Sequence, residues 1–219
     1  MADFPVNPLK LVLVNIDLQN VFVEGTPAAA PDGPEVVARV NKLAAVCRQA
    51  GVLVIHTAHV IRPDGSNAGV MGELIPPTHE GMLAEGSFPA AFHKDLKIEP
   101  SDIVLKKPRY GAFHGTDLEV TLRSRGIDSV IITGIATNVC AETTAREAAV
   151  RDFRVFFLSD GTSTAGIDGV PRDVLVRTTC AVLGLAFAQV LTVDQMIDKI
   201  KLASSAVSER VTAPHPTAT

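Results

Sequence analysis

The chain has 219 residues, 47% of them hydrophobic and 20% charged, enough to build one domain around a sizeable core. With 20 Lys and Arg against 24 Asp and Glu the net charge is −4, which excludes the basic patch of a nucleic-acid binder. No uncharged apolar run reaches the roughly 18 residues of a membrane helix, and the start, MADFPVNPLK, lacks a basic segment followed by an apolar one, so neither a membrane partner nor a secretory signal is expected. In chain order, residues 9–16 (LKLVLVNI) predict a first strand, closed by Asp17. A helix over 34–50 ends at Gly51, where a C-terminal glycine cap belongs. A second strand over 52–55 leads to His56 and His59. Residues 62–92 are rich in glycine and proline, long for a connector, and such loops usually carry function or an interface. A third strand over 103–105 runs into Lys106 and Lys107. A helix over 116–125 opens with Thr116 three residues before Glu119, a capping-box pattern, and closes at Gly126. The strand 129–135 feeds Gly134, then Thr137, Asn138 and Cys140 at the start of a helix over 138–151. The strand 154–158 precedes Asp160, a helix covers 170–183, and a last strand covers 188–193. The domain spans 1–205, with 206–219 a disordered tail ending in TAPHPTAT.

The strand runs are continuously apolar rather than alternating, as in strands buried on both faces. Alternation of strand and helix implies right-handed βαβ units. The expected fold is therefore α/β, a three-layer α/β/α sandwich with a mostly parallel six-stranded sheet. In open sheets of this kind ligands bind beyond the carboxyl ends of the strands. There stand Asp17, His56, His59, Lys106, Lys107, Thr137, Asn138, Cys140 and Asp160: a carboxylate, an ammonium and a thiol on one edge.

Three widely spaced cysteines (Cys47, Cys140, Cys180) include no CxxC pair, which fits reduced thiols in a cytoplasmic protein. Cys47 and Cys180 lie among alanines and valines on helices and read as small core residues. Cys140 differs. It sits in a first helical turn, where unpaired N–H groups favour the thiolate. Asp17 closes a buried strand and needs a partner. It reads as a general base, with Lys106 or Lys107 as the neighbouring charge.

Three segments, VNIDLQNVF, DIVLKKPRYGAFHGTDLEVTLRSRGI and GIATNVCAETTAREA, together resemble the isochorismatase-like cysteine hydrolases, in the family's order and over roughly residues 9–200. The resemblance implies an Asp17–Lys107–Cys140 triad, with Lys107 rather than Lys106 in the role. It also implies a cis peptide at Ile135–Ala136 and an oxyanion hole made by the Ala136 and Cys140 N–H groups, with no cofactor. Gly134 fits the tight backbone path this needs.

Among the branches of the family, isochorismatases typically lack the cysteine. Nicotinamidases bind a metal through an Asp-x-His…His pattern after the second strand, and here HTAHVIRPDGSN has the histidines without the aspartate. His56 is then a satisfied core group and no metal is expected. The most similar branch is the ureidoacrylate and N-carbamoyl amidohydrolases, which implies hydrolysis of a small linear amide or ureido acid. Candidate pocket residues are Gln19, Phe22, Tyr110, Phe113, His114 and Asn138. Val70, Met71, Leu74, Ile75, Met82, Leu83 and Phe88 of the 62–92 segment would be unpaired on a monomer, so a homo-oligomer, a dimer or tetramer, is expected. The competing readings are a nicotinamidase-like or isochorismatase-like hydrolase, or a non-catalytic ligand-binding protein on the same fold.

Overall fold

Strand and helix alternate along the chain in the computed structural model, which describes residues 3–212 and the side chains of residues 3–205. The order is β1 (Leu11–Ile16), α1 (Asn20–Val23), α2 (Gly33–Gln49), β2 (Leu53–His59), α3 (Met71–Leu74), β3 (Ile103–Lys107), α4 (Leu118–Ser124), β4 (Ser129–Ile135), a π-helical turn (Thr137–Ala141), α5 (Glu142–Ala149), β5 (Arg154–Ser163), α6 (Arg172–Ala186), β6 (Gln189–Leu191) and α7 (Val193–Thr212). The six strands form one sheet in the order β3-β2-β1-β4-β5-β6. Every pairing is parallel.

The side-chain period of two divides the core into two layers. From β1, Leu11 and Leu13 pack with Leu43, Ala44 and Cys47 of α2 and Met196, Ile197 and Ile200 of α7. Val12, Val14 and Ile16 face the other way, onto Leu118 and Leu122 of α4, Ala145 and Ala148 of α5 and Leu183 of α6. This is the expected three-layer sandwich. The central strands β1 and β4 are buried at every residue, which is why their sequences are apolar throughout. β3 lies at a sheet edge, and there burial alternates: Leu105 and Lys107 are buried, Val104 and Lys106 exposed.

Gly51 and Gly126 close α2 and α4 as expected, each followed by a backbone bond back to the last turn (Val52 to Cys47, Ile127 to Leu122). Other expectations need correction. α7 is a 20-residue helix that the pattern after β6 did not announce, because no glycine or proline separates strand from helix. It takes in residues 206–212, placed above in the tail; residues 213–219 lie outside the described residues. The capping box at Thr116 does not form. Its hydroxyl donates to the Ala112 carbonyl (2.6 Å) and accepts from the Leu118 N–H (3.2 Å), while Glu119 pairs with Arg123 and Arg151. The 62–92 segment has its own small core, in which Met71 and Leu83 pack with Val21, Ile61 and Ala68. Val70, Leu74 and Phe88 remain exposed, so the unpaired set is smaller than expected.

Candidate active site

β1 ends at Asp17, whose carboxylate is completely buried. Its φ of 50° lies in the left-handed region, uncommon for a residue with a side chain. The conformation is held from both sides: the Asp17 N–H donates to the Thr57 carbonyl (3.2 Å), and its own carbonyl accepts from the Gln19 N–H (2.8 Å). Oδ1 accepts the Thr57 hydroxyl at 2.6 Å. Oδ2 lies 2.7 Å from the Lys107 ammonium, and both side chains are fully buried. Lys107 reaches this point because it occupies an inward position at the end of β3, paired in register with His59. Its remaining N–H groups donate to the carbonyls of Arg109 and Tyr110, each at 2.9 Å. Burial would depress the Lys107 pKa, but Asp17 and Cys140 beside it outweigh that, and it lies above the ordinary lysine value.

Cys140 lies on the π-helical turn that follows β4. β4 approaches β1 so closely at Gly134 (φ 108°) that a Cβ there would fall 2.0 Å from the Ile16 carbonyl oxygen. The next peptide, Ile135–Ala136, is cis. The Ala136 carbonyl accepts from the Val139 (3.2 Å) and Ala141 (3.1 Å) N–H groups, passing over the Cys140 N–H between them. The Cys140 thiol lies within 4.8 Å of an Asp17 carboxylate oxygen, close enough to feel the Lys107 charge as well. Burial pushes it up to about 12, Lys107 pulling down and the Asp17 carboxylate pushing further up. The helix-start argument pointed toward a resting thiolate; the structure points to a resting thiol, because burial beside an anion outweighs the partial charge of a helix end.

His59 completes the cluster. Its imidazole, the Asp17 carboxylate and the Cys140 thiol have polar atoms all within 4.8 Å of one another. His59 Nε2 is buried without a hydrogen-bond partner. Burial, with Lys107 adding to it, brings the ring down to about 4, so it is neutral at pH 7. A carboxylate, an imidazole and a thiol are a possible metal trio, but the Lys107 ammonium already occupies the same surroundings, and its charge opposes a cation. Cys140 and His59 open onto a cavity of about 450 Å³. Its walls come from the segment after β1 (Phe22, Ala28), the long β2–β3 connection (Met71, Met82) and the segment after β5 (Thr164, Ile167).

Comparison with known proteins decides the family. A family model described as the isochorismatase domain matches residues 12–195. The chain belongs to the isochorismatase family. It is similar to a ureidoacrylate amidohydrolase RutB of Methylorubrum extorquens, 36% identical over 176 residues, 71% of this chain and 70% of that protein. A second, from Methylobacterium radiotolerans, is 33% identical over 193 residues, covering 78% and 74%. Among solved structures it is similar to a cysteine hydrolase from Pseudomonas syringae pv. phaseolicola (TM-score 0.86, 31% identity, 92% of this chain and 97% of that one). An isochorismatase family protein from Burkholderia thailandensis gives a TM-score of 0.78 at 34% identity, covering 90% and 98%.

In this isochorismatase-family chain the residues singled out from sequence divide clearly. Asp17, Lys107 and Cys140 come together, with Ala136 beside them at the cavity. Phe22 and Tyr110 line the cavity as expected. Gln19, Phe113 and His114 do not. Gln19 is fully buried and spends its amide on backbone: Nε2 donates to the His59 (3.1 Å) and Ala90 (2.7 Å) carbonyls, and Oε1 accepts the His59 N–H (2.8 Å). Phe113 packs on Phe153 in the α4–α5 core layer, and His114 is exposed. Asn138 is half-buried, off the cavity wall, with Oδ1 unpartnered. His56 is a satisfied core group, bonded through its two ring nitrogens to Asn15 and Asp102 (3.2 Å each). Lys106 points outward and pairs with Glu85. Sequence reasoning weighed His59 only as a metal ligand and missed its place in the cluster. Strand parity was the available signal: His59 pairs with Lys107 across β2–β3, so the two belong together.

Proposed function

We propose that this protein is a cysteine-dependent amidohydrolase, cleaving the C–N bond of a small linear amide or ureido group and releasing ammonia or an amine. The family, and relatives named as ureidoacrylate amidohydrolases, support hydrolysis of a carbon–nitrogen bond other than a peptide bond. The single observation that carries the cysteine chemistry is the Asp17–Lys107–Cys140 cluster, with Cys140 on the cavity wall and the buried ion pair beside it.

In this reading the resting site holds an Asp17 carboxylate, a Lys107 ammonium and a neutral Cys140 thiol. A thiol raised to about 12 does not ionise in advance. Its proton passes to Asp17 as Sγ attacks the carbonyl carbon. The oxygen of the tetrahedral adduct gains its charge where the Ala136 and Cys140 N–H groups can donate to it, with Lys107 adding positive charge nearby. Asp17 then gives the proton to the departing nitrogen, the C–N bond breaks and a thioester remains. A water molecule, losing its proton to Asp17, attacks the thioester; the acid leaves and the proton returns to Cys140. Thr57 and Lys107 hold the carboxylate in place through both halves.

Release of ammonia from a panel of primary amides and ureas, followed with wild-type, Cys140→Ala and Asp17→Asn proteins, tests the reading. Wild-type turnover, no turnover in Cys140→Ala and a loss of roughly 10²–10⁴-fold in Asp17→Asn are expected. An acyl adduct on Cys140 in rapidly quenched samples is the expected intermediate. Ammonia release by Cys140→Ala at the wild-type rate would end the proposal, and loss of activity with EDTA and its recovery with zinc would favour a nicotinamidase-like enzyme. With this reading goes a homo-oligomer joined through the exposed Val70, Leu74 and Phe88, which a size measurement tests.

A further inference from the structure

The cavity above Cys140 has a chemical bias that the relatives' names do not predict. Ureidoacrylate, in the name those relatives carry, bears a carboxylate, and a site for it needs a cation or several aimed donors. Among the described residues lining the cavity there is no lysine and no arginine. Apolar residues, among them Phe22, Met71, Ile75, Met82, Val139 and Ile167, make most of the wall, and the one carboxylate on it, Asp168, is exposed. His59 is neutral at pH 7 and offers no charge. Several cations at this end of the sheet are held away from the cavity. Lys107 is held by Asp17, Lys106 by Glu85 and Arg172 by Asp32. Arg109 turns its guanidinium to the carbonyls of Asn67 and Pro108 (2.7 Å each).

Resting on the amidohydrolase reading, we propose that this pocket selects uncharged amides or ureas with an apolar substituent, and discriminates against those that carry a carboxylate. A substrate carboxylate here would lose its water without gaining a counter-charge. It would also face Asp168, a like charge. An alkyl group in the same place exchanges water for Met, Ile and Phe side chains, worth about fourfold in affinity per buried methylene. A volume of about 450 Å³ leaves room for a chain of several carbons beyond the reacting amide.

Matched pairs that differ only in a terminal methyl or carboxylate test this: butanamide against succinamate, and hexanamide against adipamate, read as kcat/KM by ammonia release. The neutral member of each pair is expected to be better by at least tenfold, and hexanamide better than butanamide. Equal or higher kcat/KM for the carboxylates would overturn the proposal. Met82→Arg places a cation on the half-buried wall and is expected to shift the adipamate-to-hexanamide ratio toward adipamate by tenfold or more. Should circular dichroism show that variant unfolded, Ile167→Arg at an exposed position of the same wall replaces it. An unchanged ratio in the folded variant would also overturn the proposal. Calorimetric binding of the same pairs to Cys140→Ala separates the two claims. If nothing is turned over, the amidohydrolase reading fails, while tighter binding of hexanamide than adipamate still supports the pocket and the reverse order refutes it.

Discussion

Lys107→Met tests the centre of the site through stability rather than activity. Lys107 and Asp17 are both fully buried and 2.7 Å apart, and the ammonium also holds the Arg109 and Tyr110 carbonyls. Truncating one member of a buried pair strands the other charge, at a cost of roughly 3–5 kcal/mol. Against a total stability of about 5–15 kcal/mol that is a fifth or more of what holds the fold. With a urea slope of about 2 kcal/mol per molar, the unfolding midpoint should fall by roughly 1.5–2.5 M. Lys106→Met is the control. Its pair with Glu85 lies on the surface, with 61% and 50% of the two side chains exposed, and such pairs contribute little that is measurable. Urea unfolding followed by circular dichroism, on both variants and on Asp17→Asn/Lys107→Met, is the assay. The double variant removes both charges and should be more stable than Lys107→Met alone. Equal midpoints for the Lys106 and Lys107 variants, or a double variant less stable than Lys107→Met, would refute the buried-pair argument.

The thiol makes a spectroscopic prediction: with Cys140 raised to about 12, the ultraviolet difference between wild type and Cys140→Ala should show no thiolate between pH 7 and 9. A titration step near pH 7 would instead mean a preformed thiolate. His59 makes a linkage prediction. The unfolded imidazole takes up a proton near 6.5 while the native one refuses it down to about 4, so stability contributed by neutral His59 is lost as pH falls through that window. The wild type should therefore lose about 3 kcal/mol more than His59→Gln between pH 6.5 and 4, the His56 contribution cancelling; parallel pH profiles would contradict it. Gly134→Ala should lower stability by more than about 3 kcal/mol, since its Cβ would meet the Ile16 carbonyl at 2.0 Å in addition to the backbone strain. Gly126→Ala, with nothing within 4 Å of the new Cβ, should cost about 1 kcal/mol in the same denaturation assay.

What was legible in the chain was what is written locally. Continuous apolar runs marked the doubly covered strands, glycines marked the ends of α2 and α4, and β4 was read with its observed bounds. The strand ends then brought Asp17, Lys107 and Cys140 to one edge, since a parallel sheet puts all its carboxyl ends on one side. Between the adjacent Lys106 and Lys107, however, local physics offered no choice; only resemblance did, and the structure separates them by the period of two on an edge strand. What the tertiary structure alone decided depends on long-range packing. Gln19 looks like a pocket residue beside Asp17, yet its amide is consumed by backbone 40 and 71 residues away. The cavity wall is drawn from Phe22, Met71, Met82 and Ile167, far apart in sequence and without a shared pattern. The state of Cys140 follows the same rule: a helix start is visible in sequence, whereas burial beside a carboxylate is a property of the assembled interior, and desolvation outweighs the helix end there.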